Sequence, residues 1–262
     1  MTKVFLHILI FLTLTIITQI GGLIYLTTLL VFKKQNKLKK GILFLGLYLL
    51  CSYFLIPKIA PLFGRVKIQD TANISSHSII TKLFNRNYVT ADLYNTIENI
   101  SIEISKKHPG IKIIYLDANF PFINKFPLLP HLSHNDGKKI DLSFIYEDSE
   151  QKISNLKPSR SGYGIFVEPV NHEINQTEIC KKSNYWQYDF TKYLTFGKTH
   201  DNLSFSTKAT SELINIIANN KLVTKIFIEP HLKNRMKLIN SKIRFHGCGA
   251  VRHDDHIHFQ IN

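Results

Sequence analysis

From Val4 to Phe32 the chain carries no Lys, Arg, Asp or Glu, which exceeds the roughly 20 apolar residues that cross a bilayer as one helix. A second uncharged run covers 41–57 and extends to Phe63 if Lys58 snorkels its ammonium to the interface. Between the runs, residues 33–40 hold five lysines. Such a concentration marks a loop retained in the cytoplasm. The pattern predicts an N-terminal transmembrane helical hairpin over 1–63, with spans at about 4–32 and 41–63. Both the short N-terminus and everything after Gly64 then lie outside. A secretory signal peptide is the rival, disfavoured because the run is too long and no Ala-x-Ala-like site follows it.

Residues 64–89 are polar and mixed, show no sustained period and read as a tether. A domain is expected over 90–262. Thr90 offers an N-cap, and Leu93, Ile97, Ile100 and Ile104 share one helical face that Pro109-Gly110 terminates. Strand-like runs follow at 111–116, 140–146, 225–229 and 256–261, and further helices at 209–217 and 230–238. The segments 117–130 and 147–161 read as loops. Trp186, among Tyr185, Tyr188, Phe190 and Tyr193, reads as core. This order predicts an α+β domain, a small antiparallel sheet with flanking helices on one side.

Composition adds a formal net charge of +14. The loop lysines explain part of it, and the rest suits an anionic wall or the lipid headgroups of the cytoplasmic membrane. No nucleic-acid partner is expected, since the lysines are not interleaved with aromatics in a binding motif. Of the three cysteines, Cys51 falls in the second span. Cys180 and Cys248 fall in the exported part, where a disulfide is permitted; the sequence leaves their pairing open.

The chemistry concentrates in two stretches, His131 to Asp141 and His253 to His258. His134, Asp141 and His258 offer two imidazoles and a carboxylate, a ligand set that leaves zinc one position for water. His256 and His258, two apart in an alternating run, face the same way on a strand while Ile257 and Phe259 pack behind. Gly137 lets the backbone turn between a loop carrying His134 and a strand carrying Asp141.

The pattern Ser133-His134-x-x-Gly137-x-x-x-Asp141, with His256-x-His258 far downstream, resembles the metallopeptidases grouped with lysostaphin, D-alanyl-D-alanine peptidases and the hedgehog domain. His131-x-x-His134 and His253-Asp254-Asp255-His256-Ile257-His258 are most similar to the penicillin-insensitive murein endopeptidases, over roughly 92–262. The resemblance implies a hedgehog/D-alanyl-D-alanine peptidase-like fold, with His134, Asp141 and His258 holding Zn2+, His256 catalytic and His253 its helper. It gives His131 a part in an additional metal site, for which Glu168 to His172 has the wrong spacing. It further implies a membrane-anchored hydrolase on the periplasmic side, acting on peptidoglycan stem peptides at D-alanyl-diaminopimelyl crosslinks. The chain departs from the family at Gly249-Ala250-Val251-Arg252 and at Lys138-Lys139. Two alternatives remain. A carboxypeptidase or dipeptidase would need a cation for a free carboxylate, from Arg160, Arg244 or Arg252. A non-catalytic zinc-stabilised wall-binding module would have no use for His256 as a non-ligand.

Overall fold

A computed structural model describes residues 2–262, Thr2 by its backbone only. The chain forms two compact units, and each is built from separated stretches. The first comprises residues up to Ile68, then Ile79–Ala91 and Ala118–Lys138; the second comprises Gln69–Ser78, Asp92–Asp117 and Lys139–Asn262.

In the first unit the long uncharged run is not one helix. It divides into Thr2–Thr18 and Gly21–Val31, about 25 Å and about 16 Å long at 1.5 Å per residue, each short of the roughly 30 Å hydrocarbon core. Hydroxyl chemistry drives the break. Thr15 and Thr18 donate back to the carbonyls of Phe11 and Leu14, the Thr18 hydroxyl then accepts from Gly21 N at 2.8 Å, and Gln19 turns left-handed at φ 65°. The two helices fold against each other. His7 Nδ1 meets the Tyr25 hydroxyl at 2.6 Å, and a β-carbon on Gly22 would overlap the Thr15 hydroxyl. This pairing is antiparallel, so the start of the first helix lies at the same end as Val31.

Only Lys37–Phe63 is a helix long and apolar enough to cross a membrane among the described residues. Its Tyr48 joins Ile20, Ile24, Ile56, Ala60 and Tyr88 in the unit's buried core.

The expected tether at 64–89 is structured. Val66–Lys67 pairs antiparallel with Tyr88–Val89, and Ile79–Leu83 is helical. Asn85, left-handed and 2 % exposed, donates to the Tyr48 hydroxyl at 3.1 Å and to Ser52 Oγ at 3.2 Å. Single side-chain hydrogen bonds and two-residue strands leave no hydrophobic period, which is why the segment looks featureless in sequence.

The second unit is α+β. Its six-stranded sheet runs Ile243–Arg244, Val223–Phe227, His256–Ile261, Lys139–Ser143, Ile113–Asp117 and Ile74–Ser76. The four central strands are antiparallel, as expected, but both edge pairs are parallel, so the sheet is larger than predicted and mixed. The parallel edge strand Ile74–Ser76 comes from the supposed tether. The helix Ala91–Lys107 buries Leu93, Ile97, Ile100 and Ile104. A second helix, Thr207–Asn219, buries Leu213, Ile214, Ile216 and Ile217 behind an N-cap in which Ser206 Oγ accepts from Ala209 N. A small sheet of Ile153–Ser154, Tyr146–Glu147 and Ser204–Phe205 replaces part of the predicted polar loop.

Cys180 and Cys248 form a disulfide. The aromatic segment beside Cys180 is corrected from core to surface. Tyr188 is buried, yet Trp186 is 75 % exposed and Tyr193 69 %.

Lys157 is 4 % exposed, and its ammonium donates to the Phe144 carbonyl at 3.1 Å. No carboxylate pairs with it among the described residues, and burial pushes its pKa down to about 7. An unfolded lysine keeps its proton to about 10.4. Between those values the unfolded state binds more protons, so stability rises with pH across that window, and the penalty is complete below it. Lys157→Met should therefore raise stability at pH 6.5 by on the order of 2 kcal/mol and flatten the slope between pH 7 and 10. Thermal midpoints measured across that range check both.

Candidate metal centre

The antiparallel register sets His258 opposite Asp141 and His256 opposite Ser143. Alternation points both imidazoles to one face of the sheet. Ile257 and Phe259, fully buried, occupy the other. Asp141 is the hub. His258 Nδ1 lies 2.8 Å from its Oδ1, the Tyr163 hydroxyl donates to its Oδ2 at 2.8 Å, and His256 Nε2 is 3.8 Å from Oδ1.

The first motif is fixed by its own backbone bonds. His134 Nδ1 donates to the Ala118 carbonyl at 2.9 Å, which places the ring's lone pair on Nε2. Gly137, at φ 79°, donates to Asn119 Oδ1 at 3.1 Å, and a β-carbon there would strike the Arg65 guanidinium. The turn therefore requires glycine. His131 and His134, in the first unit, and Asp141, in the second, are the residues that could hold a metal ion. The fit rests on two imidazoles and a carboxylate, of which His134 and Asp141 are buried and oriented by hydrogen bonds to the Ala118 carbonyl and from the Tyr163 hydroxyl. His131 stands in this group where the sequence placed His258, and His258 instead hydrogen-bonds Asp141.

The second motif is a dense array of imidazoles and carboxylates. His256 Nδ1 donates to Asp255 Oδ1 at 2.5 Å, and Asp255 Oδ2 also accepts from Gly164 N at 2.6 Å. Burial works against a charged His256, but the carboxylates of Asp255 and Asp141 outweigh it and hold the pKa up at about 9. His253, 4.9 Å from His256 between ring centres, behaves oppositely: burial and then the neighbouring histidines push its pKa well below the usual range. It is neutral at pH 7, and its Nδ1 has no hydrogen-bond partner among the described residues. Glu229 positions it by accepting from His253 N at 2.9 Å and from the Tyr188 hydroxyl at 2.5 Å. His246 adds a fourth ring to the cluster, 5.3 Å from His253 and stacked on Phe227 at 3.9 Å.

Asp254 points away into a separate network. Arg252 grips it with two nitrogens and also pairs with Glu168 at 2.8 Å. That removes Arg252 from the cations available to a substrate carboxylate.

Sequence reading missed Tyr163, Glu229, His246 and the role of Asp255. Only Asp255 carried a signal, lying beside His256 within the motif. Tyr163 sits 22 residues from Asp141 in a stretch with no period, and only the fold joins them.

No protein-family model matches the chain, and a search of the curated proteins returns no match.

Proposed function

We propose that this chain is a membrane-anchored zinc metallopeptidase, a murein endopeptidase that cleaves D-alanyl-diaminopimelyl crosslinks on the periplasmic side of the cytoplasmic membrane. The observation that carries the reading is the convergence of Asp141, His256 and His258 on one sheet face, with His131 and His134 as the other candidate ligands. Two imidazoles and a carboxylate suit zinc. Zinc bound by His134, Asp141 and His258 would polarise the scissile carbonyl and lower the pKa of a water to about 7.

The chain's own groups do the rest. Tyr163 and His258 fix the rotamer of Asp141 through hydrogen bonds to its two oxygens. Asp255 accepts a hydrogen bond from His256 Nδ1 and aims Nε2 at the space beside Asp141. The Asp255 carboxylate against Nδ1 favours the protonated ring, suited to the oxyanion that develops on the attacked carbonyl. His253, kept neutral by burial, lies beside His256 and helps to orient it. No serine or cysteine nucleophile is called for.

Lys37–Phe63 supplies the anchor, and the lysine-rich loop before it favours a cytoplasmic location for its start. The Cys180–Cys248 disulfide belongs to an oxidising compartment. Excess positive charge suits anionic wall and headgroups.

Digestion of purified crosslinked muropeptides by the full chain, with a β-lactam present, tests the reading. Dimers should become monomers without release of free D-alanine, and the protein should carry tightly held zinc. D-alanine released from uncrosslinked stems selects the carboxypeptidase. Zinc and wall binding without cleavage of either substrate selects a non-catalytic module.

A further inference from the structure

A cavity of about 510 Å³ in the second unit is built for charge of one sign. His77, Lys112, Lys157, Arg160 and His200 line it together with serine and threonine hydroxyls, and no Asp or Glu contributes to its wall. Lys157 is the buried lysine with no carboxylate partner among the described residues. Burial disfavours the charged form of Lys157, and an anion in the cavity would favour it again. A concave wall of cations focuses the field that attracts an anion.

The wall is also rigid. His77 Nε2 donates to the carbonyls of Ser159 and Arg160, both at 3.1 Å, so the ring pins the loop that presents Arg160. Burial holds His77 below its usual pKa, with Lys157 adding to the effect, which keeps the ring neutral for that task. Asn155 accepts from Lys112 N and donates to the Gly110 carbonyl, both at 2.9 Å, which fixes the opposite side. Gly162, at φ 85°, completes the loop where a β-carbon would run into Leu116 and His77. Three residues past Arg160, Tyr163 carries the hydroxyl that holds Asp141, and its own carbonyl accepts from Ser159 Oγ at 2.8 Å.

We propose that this cavity binds an oxyanion, a carboxylate or phosphate group of a larger ligand, with Arg160 and Lys112 as its principal contacts. A guanidinium fork and an ammonium recognise this chemistry through charge-assisted hydrogen bonds. The group can come from a stem-peptide carboxylate or from the phosphate of a lipid headgroup or wall polymer. Binding does not depend on the peptidase reading, and its test contains no cleavage step.

Isothermal titration of the full chain in neutral detergent, with inorganic phosphate and separately with glutarate at constant ionic strength, is the experiment. At least one should bind saturably. Binding should weaken by tenfold or more in a Lys112→Gln/Arg160→Gln double variant and stay unchanged in Lys208→Gln, which alters an exposed helical lysine elsewhere. Melting curves report whether the double variant is folded. Tighter glutarate binding assigns the site to carboxylates, and tighter phosphate binding to phosphates. Failure of both probes to bind wild type overturns the proposal. So does equal binding by the folded double variant, or binding that disappears when chelator strips the metal, since the anion would then sit on the ion.

Discussion

His256→Ala should retain metal and fold while losing crosslink cleavage by about a hundredfold or more, the usual contribution of a positioned acid or base. The geometry separates its role from that of its neighbour two residues on. His256 donates its Nδ1 proton to Asp255, and its Nε2 stands 3.8 Å from Asp141. It is therefore held by a carboxylate outside the ligand set. His258 lies directly against Asp141 at 2.8 Å. On the proposed ligand set of His134, Asp141 and His258, His258→Ala should lose metal and activity together, because it would remove a ligand and release the Asp141 side chain. Metal content by mass spectrometry, paired with muropeptide digestion, reads both. Loss of zinc from the His256 variant would make it a ligand and remove its catalytic assignment; full activity in that variant would remove it as well. His131→Ala decides between two ligand sets: unchanged zinc content leaves His258 as the third ligand, and loss of zinc puts His131 in its place.

The second large effect concerns Cys180–Cys248. The bond closes a loop with a sequence separation of 68, for which chain entropy gives about 4 kcal/mol of stabilisation. Its replacement by two serines should lower the stability of the second unit by about that amount. Cleavage should fall at elevated temperature before it falls at low temperature, because Cys248 lies five residues before His253. Thermal midpoints of oxidised wild type and the Cys180→Ser/Cys248→Ser variant measure the difference. The same bond reports compartment. In intact cells both thiols should resist alkylation until a reductant is added, and labelling without reductant would place the domain in the cytoplasm.

Much of the second unit was legible in the sequence because period and function coincide there. Alternation around His256 and His258 fixed a strand and a common face. The 3.6-residue period from Leu93 to Ile104 fixed the helix, and Ile140 onward fixed the strand that carries Asp141. Features set by a single polar side chain escaped. The helix break at Thr18–Gln19 depends on threonine hydroxyls turned back onto the main chain, and no hydropathy average registers that. Ile74–Ser76 is an edge strand held by main-chain bonds, so its serines carry no strand pattern. Trp186 looked like core because large aromatics are the largest store of burial, yet its ring lies at the surface. Tyr163 and Glu229 reach the site through tertiary pairing alone.

The first unit is written in three instalments along the chain, and the last ends at Lys138. Its membrane-type helices are synthesised long before it can be finished. The buried Gln19 at the helix turn takes its hydrogen bond from Phe122 N at 2.9 Å, 103 residues downstream. A nascent chain halted at Asp117 would hold the three apolar helices but lack the strip that brings Phe122 N to the Gln19 side-chain oxygen and carries the first histidine motif. Completion of the first unit therefore waits on the segment that carries His131 and His134, and a chain cut short of it leaves the buried Gln19 oxygen without that bond.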